Sequence, residues 1–359
     1  MSTNTTAESV DTLITKNQTF TVTGSTAPGA TVQVDTDGDG SFTEASTIAA
    51  PDGTYSIAAT LVHDSTNNGH NPVRLRSVIP LENVDTVSDL INVHLAVGSV
   101  VRFQTNQDLN NDQVDDFYDV ELLDADAPVT VDNFLEYTTD TSYNRLMVHR
   151  SPPAFVIQGG GFTVNNGAVS SVTTRAPITN EFDSANRNVR GTLSMAQLGG
   201  QPSSGTSQWF VNVVDNSTNL DAAKHTVFGE VIGNGMQVVD SINQISVFDL
   251  NAALNQGALS QTPLVTSPLT ALSGSVSLTA DSNVVHGNGT LFTSEVQVGD
   301  ILQISGVSVF VTSIPSNVQL TVDVAASSNQ SNLGTTLFTA PADDDYVVFS
   351  DIAEILNNV

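Results

Sequence analysis

HRSPPAFVIQGGGF, residues 149 to 162, is the stretch on which the fold turns. A cationic pair, two prolines, an aromatic ring, a short apolar run and three glycines follow one another without the periodicity of a helix. The glycine run lacks the strand-to-helix context that would let it cradle phosphate. Downstream, RGTLSMAQ at 190 to 197 and SQWFV at 207 to 211 have the character of strands. In SQWFV, period-two alternation places Gln208 and Phe210 on one face and Trp209 on the other. Helical spacing flanks these strands. VDNFLEYTT at 131 to 139, after Pro128, carries Val131, Phe134 and Leu135 on one side, and GMQVVDSINQI at 235 to 245 carries Met236, Val239 and Ile242. Residues 98 to 250 are thus a strand-rich region with two helices.

Working outward, TFTVTG at 19 to 24, ATVQVDT at 30 to 36, GTYSIAATL at 53 to 61, PVRLRSV at 72 to 78 and INVHLAV at 91 to 97 alternate apolar with polar residues between turn residues. They predict a β-sandwich over 16 to 97, after a flexible N-terminus over 1 to 15. SVSLTA, DILQISG, SVFVTSI and VQLTVDV, within 271 to 338, predict a second small β-barrel. With 359 residues, against about 150 per domain, the chain has room for all of these.

Composition narrows the function. The net charge is −28, and charged residues make up only 13% of the chain, so the excess reflects missing bases. Such a surface repels phosphate backbones and anionic headgroups, which makes nucleic acid and membrane surfaces poor partners. No apolar run approaches the roughly 18 residues that span a bilayer. The absence of cysteine excludes disulfides, thiolate catalysis and zinc–sulfur sites. Arg102, Arg145, Arg150, Arg175, Arg187, Arg190 and Lys224 all lie in the middle region, and no basic residue follows Lys224. Neither G-x-S-x-G, H-E-x-x-H nor a P-loop occurs. The opening MSTNTTAESV has no basic n-region and no apolar h-region.

The middle region resembles the cyclophilin family of peptidyl-prolyl cis-trans isomerases. HRSPPAFVIQGGGF resembles the family's His-Arg, Pro-x-Phe, Gln-Gly-Gly core, and NEF at 180 to 182, RGTLSMAQ, SQWFV, LDAAKHTVFGEV at 220 to 231 and GMQVVD at 235 to 240 follow in the family's order. The resemblance implies a mainly β protein. Its centre is a cyclophilin-like eight-stranded antiparallel barrel with two helices over 98 to 270, closed by a C-terminal strand within 339 to 359 after an inserted barrel at 271 to 338. It also implies isomerisation of X-Pro bonds in unfolded or extended segments, without a cofactor. Rotation about a prolyl amide faces a barrier of about 18–20 kcal/mol, yet no bond is made or broken. The catalyst needs a dry ring pocket, donors for the flanking amides and a cation favouring the twisted state. By resemblance, Arg150 is that cation, donating to the nitrogen lone pair as conjugation is lost. Phe155, Val156, Phe210, Leu220 and His225 wall the pocket, and Gln158 and Gln208 hold the arginine and substrate carbonyls. The backbone of Ala196 and Gln197 pairs with the peptide, beside Leu198 and Asn219. The family commonly has Met at Val156, Asn at Gln197, a small residue at Leu198 and, in animal members, Trp at Asn219. LDAAKH is also one residue longer than the common form.

Resemblances elsewhere are local. VTGSTAPGATVQV with DGTYSIAATL is similar to bacterial immunoglobulin-like modules, and GNGTLFTSEVQVGDILQISG to small SH3-like modules. Together with the scarcity of lysine and absence of cysteine, they imply a periplasmic or cell-surface setting and a surface or protein partner for the accessory domains. The alternative function is a non-catalytic proline-peptide-binding or adhesive protein. DTDGDGSFTEAS at 35 to 46 sets Asp35, Asp37 and Asp39 at calcium-loop positions, with Ser46 where a bidentate acid is expected and Glu44 able to substitute from position 10; the competing reading is a polar hairpin turn, where Asp-Gly pairs are common. DLNNDQVDD at 108 to 116 is a weaker variant of the same pattern, with Gln113 in place of glycine.

Overall fold

The computed structural model describes residues 12 to 64, 67 to 79, 84 to 254 and 256 to 355. Near the N-terminus, Thr31–Asp35, Ala45–Ile48, His70–Ile79, Val84–Val87 and Ile91–Leu95 form one sheet, and Thr19–Ser25 pairs with Thr54–Thr60 in another. Val32, Val34, Ile57, Ala59, Val73 and Leu75, alternating along their strands, bury a core shared by the two sheets. One expectation is corrected here. Most of the stretch expected to be a flexible N-terminus, residues 1 to 11, lies outside the described residues, but Leu13–Thr15 is a strand running parallel to Ile91–Leu95. Ile14 is buried there with Ala96, Val100 and Ile232, so the segment is fastened by its one large apolar anchor.

The middle region contributes a sheet of β1 (Val100–Thr105), β2 (Phe117–Leu122), β3 (Leu146–Met147), β4 (Val156–Gly159), β5 (Phe162–Asn165), β6 (Ala168–Ser171), β7 (Thr192–Met195), β8 (Trp209–Asn212), β9 (Val227–Ile232) and β10 (Val348–Glu354). Their order is β4-β8-β7-β9-β2-β1-β10-β3-β5-β6. These ten strands exceed the eight expected; β3 has only two residues, and β6 is the return arm of a hairpin on β5. Besides one-turn helices at Ser217–Leu220 and Asn251–Leu254, which add to the two expected, the two longer helices are α1 (Pro128–Thr139) and α2 (Gly235–Gln244). Their buried Val131, Phe134, Val239 and Ile242 join the core of the sheet. At its centre Phe103 stacks on Tyr118 at 4.7 Å and meets Trp209 edge-on at 5.1 Å, while Phe349 of β10 lies 5.8 Å from Trp209.

Between β9 and β10 the chain passes through a separate eight-stranded sheet built from Leu269–Ala271 to Thr335–Phe338, with its own core of Val276, Val285, Phe292, Leu302, Ile304 and Leu320. Its first and last sequence segments, Leu269–Ala271 and Thr335–Phe338, are antiparallel partners, so the chain enters and leaves side by side. β10 then pairs with β1, Phe349 opposite Thr105 and Glu354 opposite Val101. The N-terminal sheets dock on β2 through a buried hydrogen bond between His94 Nε2 and Glu121 Oε2 at 2.6 Å. The other Glu121 oxygen accepts the N–H groups of Val97 and Gly98.

Candidate active site

Residues 149 to 162 take their shape from local chemistry. Arg150 and Gln158 face each other in an antiparallel bridge, with the Gln158 N–H donating to the Arg150 carbonyl at 2.8 Å. Pro152 and Pro153 have no N–H to offer a ladder, so the chain leaves the sheet as a loop, with Ala154 left-handed at φ 53°, and returns in β4. At Gly160, φ is +82° and a Cβ would stand 2.2 Å from the Ser207 carbonyl oxygen, so only glycine fits. A Cβ on Gly161 would press on His149 and Gln208 at 3.0 and 3.1 Å, so this glycine leaves room for the Gln208 amide.

The side chains form a relay. Arg150 Nη1 donates to Gln158 Oε1 at 3.2 Å, and Gln158 Nε2 donates to Gln208 Oε1 at 2.9 Å. The half-buried Arg150 guanidinium lies 5.8 Å from the Phe155 ring centre. Burial lowers its pKa, but from so high a value that the cation persists. Phe210 meets His225 edge-on at 5.3 Å. Burial also pushes the His225 pKa down, against the opposing pull of the Met195 carbonyl 3.0 Å from Nδ1. The ring is therefore neutral at pH 7, and its Nδ1–H donates to that carbonyl.

Arg150, Phe155, Gln158 and Gln208 thus come together, and Phe210 contacts His225, whose N–H donates to the Leu220 carbonyl at 3.0 Å. Gln197 Nε2 donates to the Ala223 carbonyl, tying the 196 to 198 arm to the LDAAKH turn. Leu198 is 63% exposed, Asn219 is exposed, and Val156 is buried at the start of β4. Of the Ala196 backbone groups expected to pair with the peptide, the carbonyl is the one left to do so. The Ala196 N–H already donates to the Gln208 carbonyl at 2.9 Å, because residue 196 continues the β7–β8 ladder, so that donor is spent.

Sequence reasoning missed a set of buried asparagines. Asn243, on α2, accepts from the Ala154 N–H at 3.0 Å and donates to Ser151 Oγ and the Pro152 carbonyl, clamping the loop between Arg150 and Phe155. Asn188, Asn212 and Asn216 lie beneath the site, all buried. The available signal was alternation, which puts Asn212 on the strand face that carries Phe210.

In the acidic loop, ligand atoms of Asp35, Asp37 and Asp39 lie within 4.8 Å of one another. Each carboxylate also accepts N–H groups of its own loop, from Gly38 and Gly40 to Asp35, Asp39 to Asp37, and Ser41 to Asp39. That is the bonding of a polar turn. In the 108 to 116 loop, Asp108 accepts from the Asp112 and Gln113 N–H groups, and Asp116 from Leu109.

The profile of the family described as cyclophilin type peptidyl-prolyl cis-trans isomerase/CLD matches residues 108 to 262. A peptidyl-prolyl cis-trans isomerase of Acinetobacter baylyi is 40% identical over 159 residues, covering 44% of this chain and 78% of that protein. The chain belongs to the cyclophilin-type isomerase family. Peptidyl-prolyl cis-trans isomerase B of Escherichia coli is likewise 40% identical over 133 residues, 35% of this chain and 78% of the relative. Among solved structures, a cyclophilin type isomerase of Cryptosporidium parvum is 21% identical with a TM-score of 0.33, covering 42% of this cyclophilin and 86% of that chain.

Proposed function

We propose that this cyclophilin isomerises X-Pro bonds in extended or unfolded segments, with Arg150 as the catalytic cation. The observation that carries the reading is the Arg150–Gln158–Gln208 relay beside Phe155. It holds a guanidinium in place before substrate arrives, so no reorganisation is needed as the amide twists and its nitrogen lone pair localises. The proline ring lies among Phe155, Phe210, Leu220 and His225, and a neutral His225 serves as wall, since isomerisation moves no proton. Gln208 and the backbone of Gln197 hold the flanking amides. The N-terminal sheets and the 269 to 338 sheet act as immunoglobulin-like and SH3-like accessory modules in a periplasmic or cell-surface protein, consistent with the acidic, lysine-poor composition.

Arg150→Ala tests the reading. Losing one preorganised donor costs about 2.7–4 kcal/mol of barrier, a fall of about 100- to 1,000-fold in catalysed exchange. The measurement is cis–trans exchange of an Ala-Pro peptide by NMR, with circular dichroism verifying the fold. Full activity in Arg150→Ala overturns the role of the arginine.

A further inference from the structure

We propose that Asn188, Asn212 and Asn216 form a positioning frame that fixes the separation between the two walls of the proline pocket. The inference rests on the site assignment above. One wall is Phe155, whose carbonyl accepts the Val213 N–H at 3.0 Å and Asn216 Nδ2 at 2.9 Å. The opposite wall is Leu220 and His225. The Leu220 N–H donates to the Asn216 carbonyl at 3.0 Å, and the His225 carbonyl accepts Asn188 Nδ2 at 3.1 Å. The two sides are joined underneath. Asn216 Nδ2 donates to Asn212 Oδ1 at 2.9 Å, Asn212 Nδ2 reaches Thr192 Oγ1 at 2.9 Å and Asn188 Oδ1 at 3.4 Å, and the Asn216 N–H donates to the Asn188 carbonyl at 3.0 Å.

Asn188 is in turn anchored. Its N–H and its carboxamide both donate to Asp221 Oδ1 at 2.9 Å, and Ser194 Oγ donates to its Oδ1 at 2.8 Å. Asn188 and Asn212 are 0% exposed and Asn216 is 9% exposed. A cluster of carboxamides this deep is costly unless paired, and apolar side chains would fill the same space more cheaply. What an amide adds is direction. Apolar packing lets two loops slide, whereas a hydrogen bond fixes both distance and angle at the carbonyls of Phe155 and His225. Asn212 lies two residues beyond Phe210 on the same strand face, so the frame runs under the floor of the pocket.

Asn216→Ala cuts the side-chain links to Phe155 and to Asn212 Oδ1, through which Asn188 and the His225 wall are tied, while leaving the Val213 bond and the backbone bonds to Leu220 and Asn188. Expected is a fall of about 10-fold in kcat/KM, carried mainly by KM, because misplaced walls weaken binding of the ring while Arg150 stays in its relay. The decisive reading is at the far wall. The imidazole titration of His225, followed by NMR, moves up toward its ordinary value as that wall loosens. If Asn216→Ala does not fold, Asn216→Asp, which keeps the volume but cannot donate to Phe155, is measured in the same way. Unchanged kcat/KM, or a loss of activity with the His225 titration unmoved, overturns the frame. The outcomes separate from those of the site itself: an inactive Arg150→Ala with a fully active Asn216→Ala leaves the site standing and removes the frame.

Discussion

His149 is completely buried beside Arg150, and burial first, then that neighbouring charge, push its pKa from 6.5 down to about 4. In the unfolded chain the ring takes up a proton near its ordinary value; in the folded protein it stays neutral to about pH 4. Between those values the unfolded state holds the extra proton, so the contribution is full above pH 6.5, shrinks as the pH falls, and levels off below about 4. At about 1.4 kcal/mol per pH unit, the loss amounts to about 3 kcal/mol. Denaturant midpoints measured across this window should fall on acidification, and His149→Gln should flatten part of the slope. A folded-state imidazole signal titrating near its ordinary value would rule this out. Legibility at this scale followed contiguity. Arg150, Phe155 and Gln158 sit in one stretch, and Gln208 shares the strand face of Phe210, so motif and alternation found them. Asn188, Asn212, Asn216 and Asn243 escaped because asparagine in a sequence reads as a turn former, and only the folded chain carries residue 188 to residue 225.

The seam between β1 and β10 decides what the elements can lose. The Phe338 end of the 269 to 338 sheet lies opposite Leu269, so replacing residues 272 to 334 by a short Gly/Ser linker joins chain ends that are already neighbours. Isomerase activity is expected to survive. Truncation after residue 270 removes Phe349 and Ile352 from the core and strips β1 of one of its two ladder partners, leaving backbone groups unpaired. That protein should not fold. A folded, active truncation alongside an unfolded internal deletion would reverse the assignment. Trp209 is the sole tryptophan and is fully buried against Phe349, so its emission reports this core directly. The strands of both accessory regions were legible because polar–apolar alternation survives in each. The parallel strand at Leu13–Thr15 was not, since three residues carry too little periodicity and only its partner Ile91–Leu95 defines it.

Across the whole molecule, the N-terminal sheets and the isomerase sheet are held together by His94 and Glu121. Burial works to raise the Glu121 pKa, but His94 and the Gly98 and Val97 N–H groups outweigh it and hold the carboxylate ionised. Leaving a buried hydrogen-bonding group unsatisfied costs about 1–3 kcal/mol, and Glu121→Ala strands His94 Nε2 and the Val97 and Gly98 N–H groups together, so it should lower the urea midpoint followed by Trp209 emission. An unchanged midpoint would mean that the apolar contact around Ile14 and Val100 suffices alone. The seam between β1 and β10 has a consequence in time. The Val348 N–H meets Asn106 Oδ1 across 242 residues of sequence. At about 5–20 residues per second, a ribosome takes roughly 10–50 seconds to cover that distance. Throughout, β1, carrying Val101 and Phe103, has β2 on one side while its other neighbour, β10, has yet to be synthesised. Any slow prolyl step in the chain's own maturation during that interval therefore falls to another catalyst, since this one is not yet assembled.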